Sequence, residues 1–198
     1  MKELKRYQEE AVDELLLKTK LLFAKHIDKK TIVFQSPTGS GKTFMLTGYI
    51  QQIINLFEDE DLCFLWVSIG KGNLHKQSYN ALNNEFNGFP NCYLLEEEFF
   101  GSRKTIDKNE VVVVNWEKLR TKDRQTGEWK NVLMKDKETT NFRELLQNTR
   151  EENTKIIMVI DESHTNADSE RAIELRDRIV SPFLTICQVS QGCLRNLV

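Results

Sequence analysis

Eight consecutive residues, Ser36 to Thr43, combine small side chains with one lysine at a spacing that suits phosphate binding. Glycines let backbone N–H groups point inward around phosphate oxygens, where a Cβ atom would obstruct them. Lys42 can then reach the β- and γ-phosphates of a nucleoside triphosphate, and the Thr43 hydroxyl can ligate Mg²⁺. The loop residues predicted to surround the phosphates are Thr38, Gly39, Ser40, Gly41, Lys42 and Thr43.

A second motif places two carboxylates directly after the apolar run Ile156–Ile160. Asp161, at the end of a predicted buried strand, can hold Mg²⁺ opposite Thr43. The adjacent Glu162 can orient and deprotonate the water that attacks a phosphate. An acidic pair after a strand is, by itself, often only the N-cap of a helix. Beside a phosphate loop, the catalytic interpretation is favoured.

Apolar runs of strand length alternate along the chain with segments that have helical periodicity. The predicted strands are Thr31–Phe34, Leu62–Val67, Val111–Val114 and Ile156–Ile160, and the predicted helices are Leu4–Leu22, the segment from Thr43 to Ile54, and Leu74–Phe86. Nearly continuous apolar strands separated by helices indicate an α/β fold of three layers, with a mostly parallel sheet covered on both faces. Such sheets bind ligands at the carboxyl ends of their strands, where both motifs lie.

The bulk composition restricts the class of protein. A chain of 198 residues with 39% hydrophobic and 29% charged residues is expected to form one soluble α/β domain. Its net charge of −2 gives no general attraction to nucleic acid, so any such contact must come from local patches. We expect no signal peptide and no membrane segment. Four scattered cysteines argue against a zinc site and favour a reducing, cytoplasmic setting.

The two motifs together resemble the first motor domain of superfamily 2 helicases and translocases, with Asp161–His164 as a variant of their DEAD/DEAH box. Ser36 stands where the general phosphate-loop pattern has glycine, and helicases often have alanine or serine there. Further stretches resemble the restriction subunit of type III restriction–modification enzymes: Trp66–Ser78, Val113–Lys118 and Thr126–Leu133. The resemblance covers about Leu4 to Leu184. It implies a RecA-like P-loop NTPase domain that uses ATP and Mg²⁺.

The resemblance also implies roles for particular residues. Gln8 occupies the place of an adenine-reading motif, although on sequence alone it is only a polar position on a helix. Residues 70–77 match a motif that touches one nucleic-acid strand, without its usual Pro-Thr start, and Asn115 matches a further strand-contacting motif. His164 matches a residue that couples the two sites. The predicted nucleic-acid contacts are Lys71, Asn73, His75 and Asn115, with Lys76 as a further phosphate donor. A solvated turn before a helix is the alternative for residues 70–77.

We predict one motor domain over residues 1–198, with an insertion at 118–153 that contains a hairpin and a helix around Phe142–Leu146. Relatives would continue after Ile186 into a Ser-Ala-Thr motif, whereas this chain reads Cys187–Leu194, so residues 185–198 are expected to be an atypical tail. The second motor domain and the nuclease of such enzymes are absent from this sequence. Our hypothesis is a truncated or frame-altered product whose ATPase activity alone is weak, since losing the arginine finger costs roughly 10³–10⁵ in rate. The alternative is a short domain that stands alone.

Three functions remain open at this stage. The leading one is the ATP-binding half of a DNA translocase motor, which binds DNA weakly alone and works with a modification or specificity subunit. A phosphate-loop kinase is the second, although its usual arginine-rich lid is poorly matched by Arg120, Arg124 and Arg143. The third is a non-catalytic interaction protein that binds a modification partner through the insertion.

Overall fold

A computed structural model describes residues 3–25, 30–68, 73–95, 103–115, 142–161 and 184–190 of the chain. The helices in these ranges are α1 (Arg6–Ala24), α2 (Lys42–Leu56), α3 (Leu74–Phe86) and α4 (Phe142–Glu151). The strands are β1 (Lys30–Ser36), β2 (Leu62–Ser68), β3 (Asn91–Leu94), β4 (Glu110–Asn115), β5 (Lys155–Asp161) and β6 (Leu184–Ser190). The alternation predicted from the sequence is therefore confirmed, with helix and strand ends that differ from the prediction by one or two residues for most elements.

The six strands form one sheet in the order β1-β6-β5-β2-β4-β3, and every pair in it is parallel. Because parallel strands all point the same way, their carboxyl ends lie along one edge of the sheet. We call this the carboxyl edge. At this edge five strands end in a polar residue: Ser36, Ser68, Asn115, Asp161 and Ser190.

Two apolar clusters cover the two faces of the sheet. On β2, Phe64 and Trp66 point to one face and Leu65 and Val67 to the other, since side chains alternate along a strand. The first face packs against α1, α2 and α3, and the second packs against α4. This arrangement confirms the predicted three-layer α/β fold. Within the described residues, no helix is both long enough and apolar enough to cross a membrane.

Helix α1 packs along α2 and thereby brings its first turn to the end of β1. Its buried positions Val12, Leu15 and Phe23 join the main core. Thr19 and Tyr49 exchange a hydrogen bond of 2.9 Å between their hydroxyls in the buried contact between the two helices. Burial raises the pKa of Tyr49 well above its usual value, so this phenol stays neutral at physiological pH.

Two strands were not predicted from the sequence. One is β3, which has only four residues, and the other is β6, which contains part of the predicted atypical tail. In the structure β6 pairs with β1 from Leu184 to Ser190 and with β5 on its other side. The helix predicted around Phe142–Leu146 is α4 and extends to Glu151. The predicted hairpin of the insertion lies outside the described residues.

The position of β6 inside the sheet predicts a large effect of one core substitution. Ile186 is fully buried between the neighbouring strands, so Ile186→Ala should lower the free energy of unfolding by about 2–5 kcal/mol. Val33→Ala on the adjacent strand is the control, because Val33 is 39% exposed and its truncation should cost less than about 1 kcal/mol. Urea unfolding followed by circular dichroism measures both. Equal, small losses would mean that β6 does not lie inside the sheet.

Candidate nucleotide-binding site

The predicted phosphate loop joins the end of β1 to the start of α2. Gly39 and Gly41 adopt φ angles of +77° and +84°, a left-handed conformation that residues with a Cβ rarely adopt. Gly41 is the N-cap of α2, and its carbonyl accepts the first helical hydrogen bond from Met45 at 2.9 Å. The unpaired N–H groups of the first turn and the positive end of the helix dipole therefore face the loop, as anion binding requires.

Side chains from the start of α1 hold this loop in place. Gln8 is buried, and its Nε2 donates a hydrogen bond to the carbonyl oxygen of Ser40 at 2.8 Å. The Tyr7 hydroxyl donates to the same oxygen at 3.1 Å. A Cβ atom added to Gly41 would lie only 2.8 Å from Gln8 Nε2. The backbone conformation by itself favours glycine at position 41, and a Cβ there would also force the end of the Gln8 side chain to shift.

The side chain of Gln8, which is predicted to read adenine, already makes two hydrogen bonds within the protein. Gln8 Oε1 accepts a hydrogen bond from the backbone N–H of Lys5 at 2.9 Å, while Nε2 serves Ser40. A glutamine amide has two donor hydrogens and two acceptor lone pairs. One donor and one acceptor remain for a base, so contact with adenine stays a prediction. The contact of Tyr7 with the loop was not predicted.

Lys42 carries a buried positive charge at the centre of the loop. Its side chain is 9% exposed, and its Nζ donates to the carbonyl oxygens of Pro37 at 3.2 Å and Ser36 at 3.4 Å. Among the described residues, no carboxylate forms an ion pair with Lys42. A buried charge without a counter-charge is unfavourable, so an anion bound in the loop would stabilise this arrangement.

Two hydroxyls complete the loop. Ser36, which replaces the usual glycine, lies with its Oγ 2.6 Å from the Oγ of Ser40 and so joins the two ends of the turn. The hydroxyl of Thr43 makes no hydrogen bond to the described part of the chain, whereas Thr47 in the next turn donates to the Phe44 carbonyl at 2.7 Å. The Thr43 oxygen is therefore available to a cation, which fits the predicted Mg²⁺ site.

Asp161 ends β5 at the same edge of the sheet as the phosphate loop. Asp161 is 7% exposed. One strand, β6, lies between β5 and β1, so at normal strand spacing the axes of β5 and β1 are about 10 Å apart. Ser78 donates a hydrogen bond to Asp161 Oδ2 at 3.2 Å, a contact that the sequence did not predict. Glu162 and His164 lie outside the described residues, so their roles stay predictions.

The predicted metal ligands at this edge are the Thr43 hydroxyl and the Asp161 carboxylate, and both are oxygen donors. Carboxylate and hydroxyl oxygens are the ligands that Mg²⁺ prefers, and it usually keeps waters and substrate phosphates as its other ligands. In the described ranges, no group of three or more His, Cys, Asp or Glu residues could hold a metal ion. Thr43 and Asp161 offer oxygen ligands of the kind that Mg²⁺ prefers, and a magnesium site between them stays a prediction.

The predicted nucleic-acid contacts divide into exposed and buried residues. Asn73 is exposed at the N-cap position of α3, as a phosphate donor should be. His75 and Asn115 are only 3% and 8% exposed, and the Asn115 amide donates to His75 Nδ1 at 3.0 Å. Their burial favours a role in positioning, and direct contact of these two side chains with a strand remains a prediction. Lys71 lies outside the described residues.

The contact between Gln8 and Gly41 can be tested without a ligand. Gly41→Ala should destabilise the chain by more than Gly88→Ala, because both glycines have positive φ but a Cβ at Gly88 meets open space. We expect about 1–2 kcal/mol for the backbone conformation and a further 1–3 kcal/mol, approximately, for the overlap with Gln8. Thermal and urea unfolding measure both. In a Gln8→Ala background the extra cost at Gly41 should disappear. An unchanged cost there would contradict the close contact.

Comparisons with known proteins agree with this geometry. The chain matches the family model described as type III restriction enzyme, res subunit, over residues 1–185. A solved structure with a similar fold is a nuclease-deletion mutant of the Type ISP restriction-modification enzyme LlaGI in complex with a DNA substrate mimic, with a TM-score of 0.52 and 14% sequence identity. The match covers 95% of this chain and 17% of the LlaGI chain, so the present sequence spans about a sixth of that enzyme. No curated protein matches the chain. With the helicase-type fold and the phosphate loop in place, the family match shows that the chain belongs to the type III restriction enzyme res subunit family.

Proposed function

We propose that the chain is the ATP-binding motor domain of a DNA translocase in a restriction system, and that it binds and hydrolyses Mg·ATP at the carboxyl edge. The observation that carries the proposal is the buried ammonium of Lys42. It lies in a left-handed glycine turn at a helix N-terminus and has no acidic partner among the described residues. A triphosphate would supply the missing negative charge.

Each residue of the site has a distinct part in this proposal. Lys42 moves from the carbonyls of Ser36 and Pro37 to the β- and γ-phosphate oxygens, which are stronger acceptors because they are charged. Thr43 and Asp161 would hold a magnesium ion, which would neutralise the charge that develops on the phosphates. Glu162 orients the attacking water and accepts its proton, as predicted from the sequence.

The nucleic-acid part of the proposal concerns the start of α3. We propose that one DNA strand passes over residues 70–73, where Asn73 is exposed and the positive end of the α3 dipole attracts phosphate. The related LlaGI structure contains a DNA substrate mimic, which supports DNA as the polymer. With a net charge of −2, binding by this chain is expected to be weak and salt-sensitive.

The partner and the compartment are part of the same proposal. From the resemblance to restriction subunits, we propose that the chain works with a modification or specificity subunit. Cys63 and Cys92 are both buried, and the scattered cysteines of the sequence motivate our proposal of a cytoplasmic setting. Motion along DNA is proposed for the enzyme that uses this motor domain.

The nucleotide site predicts an effect of Lys42→Ala. Wild-type chain should bind a fluorescent ATP analogue saturably with Mg²⁺, and Lys42→Ala should weaken this by about 10- to 100-fold through loss of a charged hydrogen bond. Lys18→Ala is the control, because Lys18 is exposed and pairs with Glu14 on the surface of α1. Phosphate release with and without duplex DNA then reports hydrolysis. Identical binding by wild type and Lys42→Ala would contradict the proposal. Loss of ATP binding with retention of a modification subunit would favour the interaction-protein alternative.

The DNA site predicts a difference between two substitutions. Both Lys71→Ala and Asn73→Ala should weaken binding to a labelled duplex, measured by fluorescence anisotropy at low salt. Only Lys71→Ala should also reduce the slope of log K against log salt by about 1, because it removes a charged phosphate contact. Asn83→Ala, exposed near the other end of α3, is the control and should change neither quantity. If all three variants bind like wild type, the strand does not pass over this segment.

A further inference from the structure

Ser78 lies one turn after His75 on α3 and contacts two strand ends at once. Its Oγ is 3.2 Å from Asp161 Oδ2 on β5 and 3.4 Å from Ser68 Oγ on β2. An ionised carboxylate only accepts hydrogen bonds, so the single hydroxyl proton of Ser78 goes to Asp161. The Ser68 hydroxyl must then donate to Ser78. The three side chains form a directed chain of hydrogen bonds that ends on the predicted metal ligand.

The sheet explains why one helix reaches all these groups. Ser68 ends β2, and the register places Asn115 of β4 beside it on one side and Asp161 of β5 on the other. Helix α3 follows β2 and crosses over this part of the carboxyl edge. His75, three residues before Ser78, bonds Asn115 at 3.0 Å. Residues three apart lie on the same face of a helix, so one face of α3 bonds both neighbours of β2.

We propose that Ser78 is a positioning residue for the metal-binding carboxylate of Asp161. The inference rests on the proposed function, since it assigns to Ser78 the orientation of a magnesium ligand. Asp161 is buried, and the hydrogen bond from Ser78 to its Oδ2 restrains the rotation of the carboxylate plane. Partners of this kind orient a ligand before the ion arrives, and their loss typically lowers metal affinity or activity about 10- to 100-fold.

The hydrogen bond from Ser78 to Asp161 also places α3 between the proposed magnesium site and the proposed DNA site. The helix holds Asp161 through Ser78 and Asn115 through His75, and its exposed N-cap residue is Asn73. A displacement of α3 would therefore also displace the donor of the hydrogen bond to Asp161. Asn73 and Ser78 are separated by about one and a half helical turns of α3.

The test compares Ser78→Ala and Ser78→Thr with wild type. The half-maximal Mg²⁺ concentration for binding of a fluorescent ATP analogue should rise about tenfold in Ser78→Ala. Binding of the same analogue in EDTA should not change, because Lys42 and the loop are untouched. Ser78→Thr retains the hydroxyl and should restore the wild-type Mg²⁺ dependence. Asn84→Ala, which removes an exposed amide from the same helix, is the matched control.

Thermal unfolding of each variant separates positioning from general support of the fold. Alanine is a good helix former, and Ser78 is only partly buried, so Ser78→Ala should fold. A folded Ser78→Ala with the Mg²⁺ dependence of wild type would overturn the inference. An equal loss of binding in EDTA and Mg²⁺ that threonine does not rescue would also overturn it, in favour of a structural role. If wild type shows no Lys42-dependent binding, the proposed function itself fails and takes the inference with it.

Discussion

The central strands are buried along nearly their whole length: every residue of β2 is buried, and so is every residue of β5 after the first. A polar side chain inside such a strand would lose water and gain no partner, which is costly. Apart from Lys155 at the start of β5 and the indole N–H of Trp66, which is buried without a hydrogen-bond partner in the described part of the chain, these two strands stay apolar until their last residue. There Ser68 and Asp161 form hydrogen bonds with Ser78 of α3. The polar side chains of the candidate site therefore lie at the carboxyl edge, where such partners exist.

A second consequence of close packing is that the N-terminal helix is part of the nucleotide site. The α1–α2 contact contains Val12 and the buried hydroxyl pair of Thr19 and Tyr49, and it fixes the distance between the two helices. The first turn of α1 therefore lies against the loop before α2, where Gln8 reaches the Ser40 carbonyl. Glycine at position 41 suits both the positive φ of the loop and the nearness of the Gln8 amide. A substitution that loosens the packing of α1 on α2 is therefore expected to change the shape of the loop as well.

The sequence predicts well wherever the signal is local. The apolar runs of β2, β4 and β5 and the glycines of the phosphate loop are read from neighbouring residues, and the structure has these elements where they were expected. The strand β6 was missed because its apolar run is short and ends at Gln188. It is a strand because it pairs with β1 on one side and with β5 on the other. Ser78 was missed because its partner is 83 residues away. The burial of His75 likewise depends on a strand distant in sequence.

The short contact between the hydroxyls of Ser36 and Ser40 has a consequence for the thermodynamics of ligand capture. Together with Gln8 and Tyr7, it restrains the loop through bonds that belong to the protein itself. A loop with glycines at two of its positions would otherwise sample many backbone conformations, and ordering it on association would subtract from affinity. Preorganisation removes most of that entropic penalty. Ser36 occupies a position where glycine is usual. Its hydrogen bond with Ser40 restrains the loop conformation before any ligand binds.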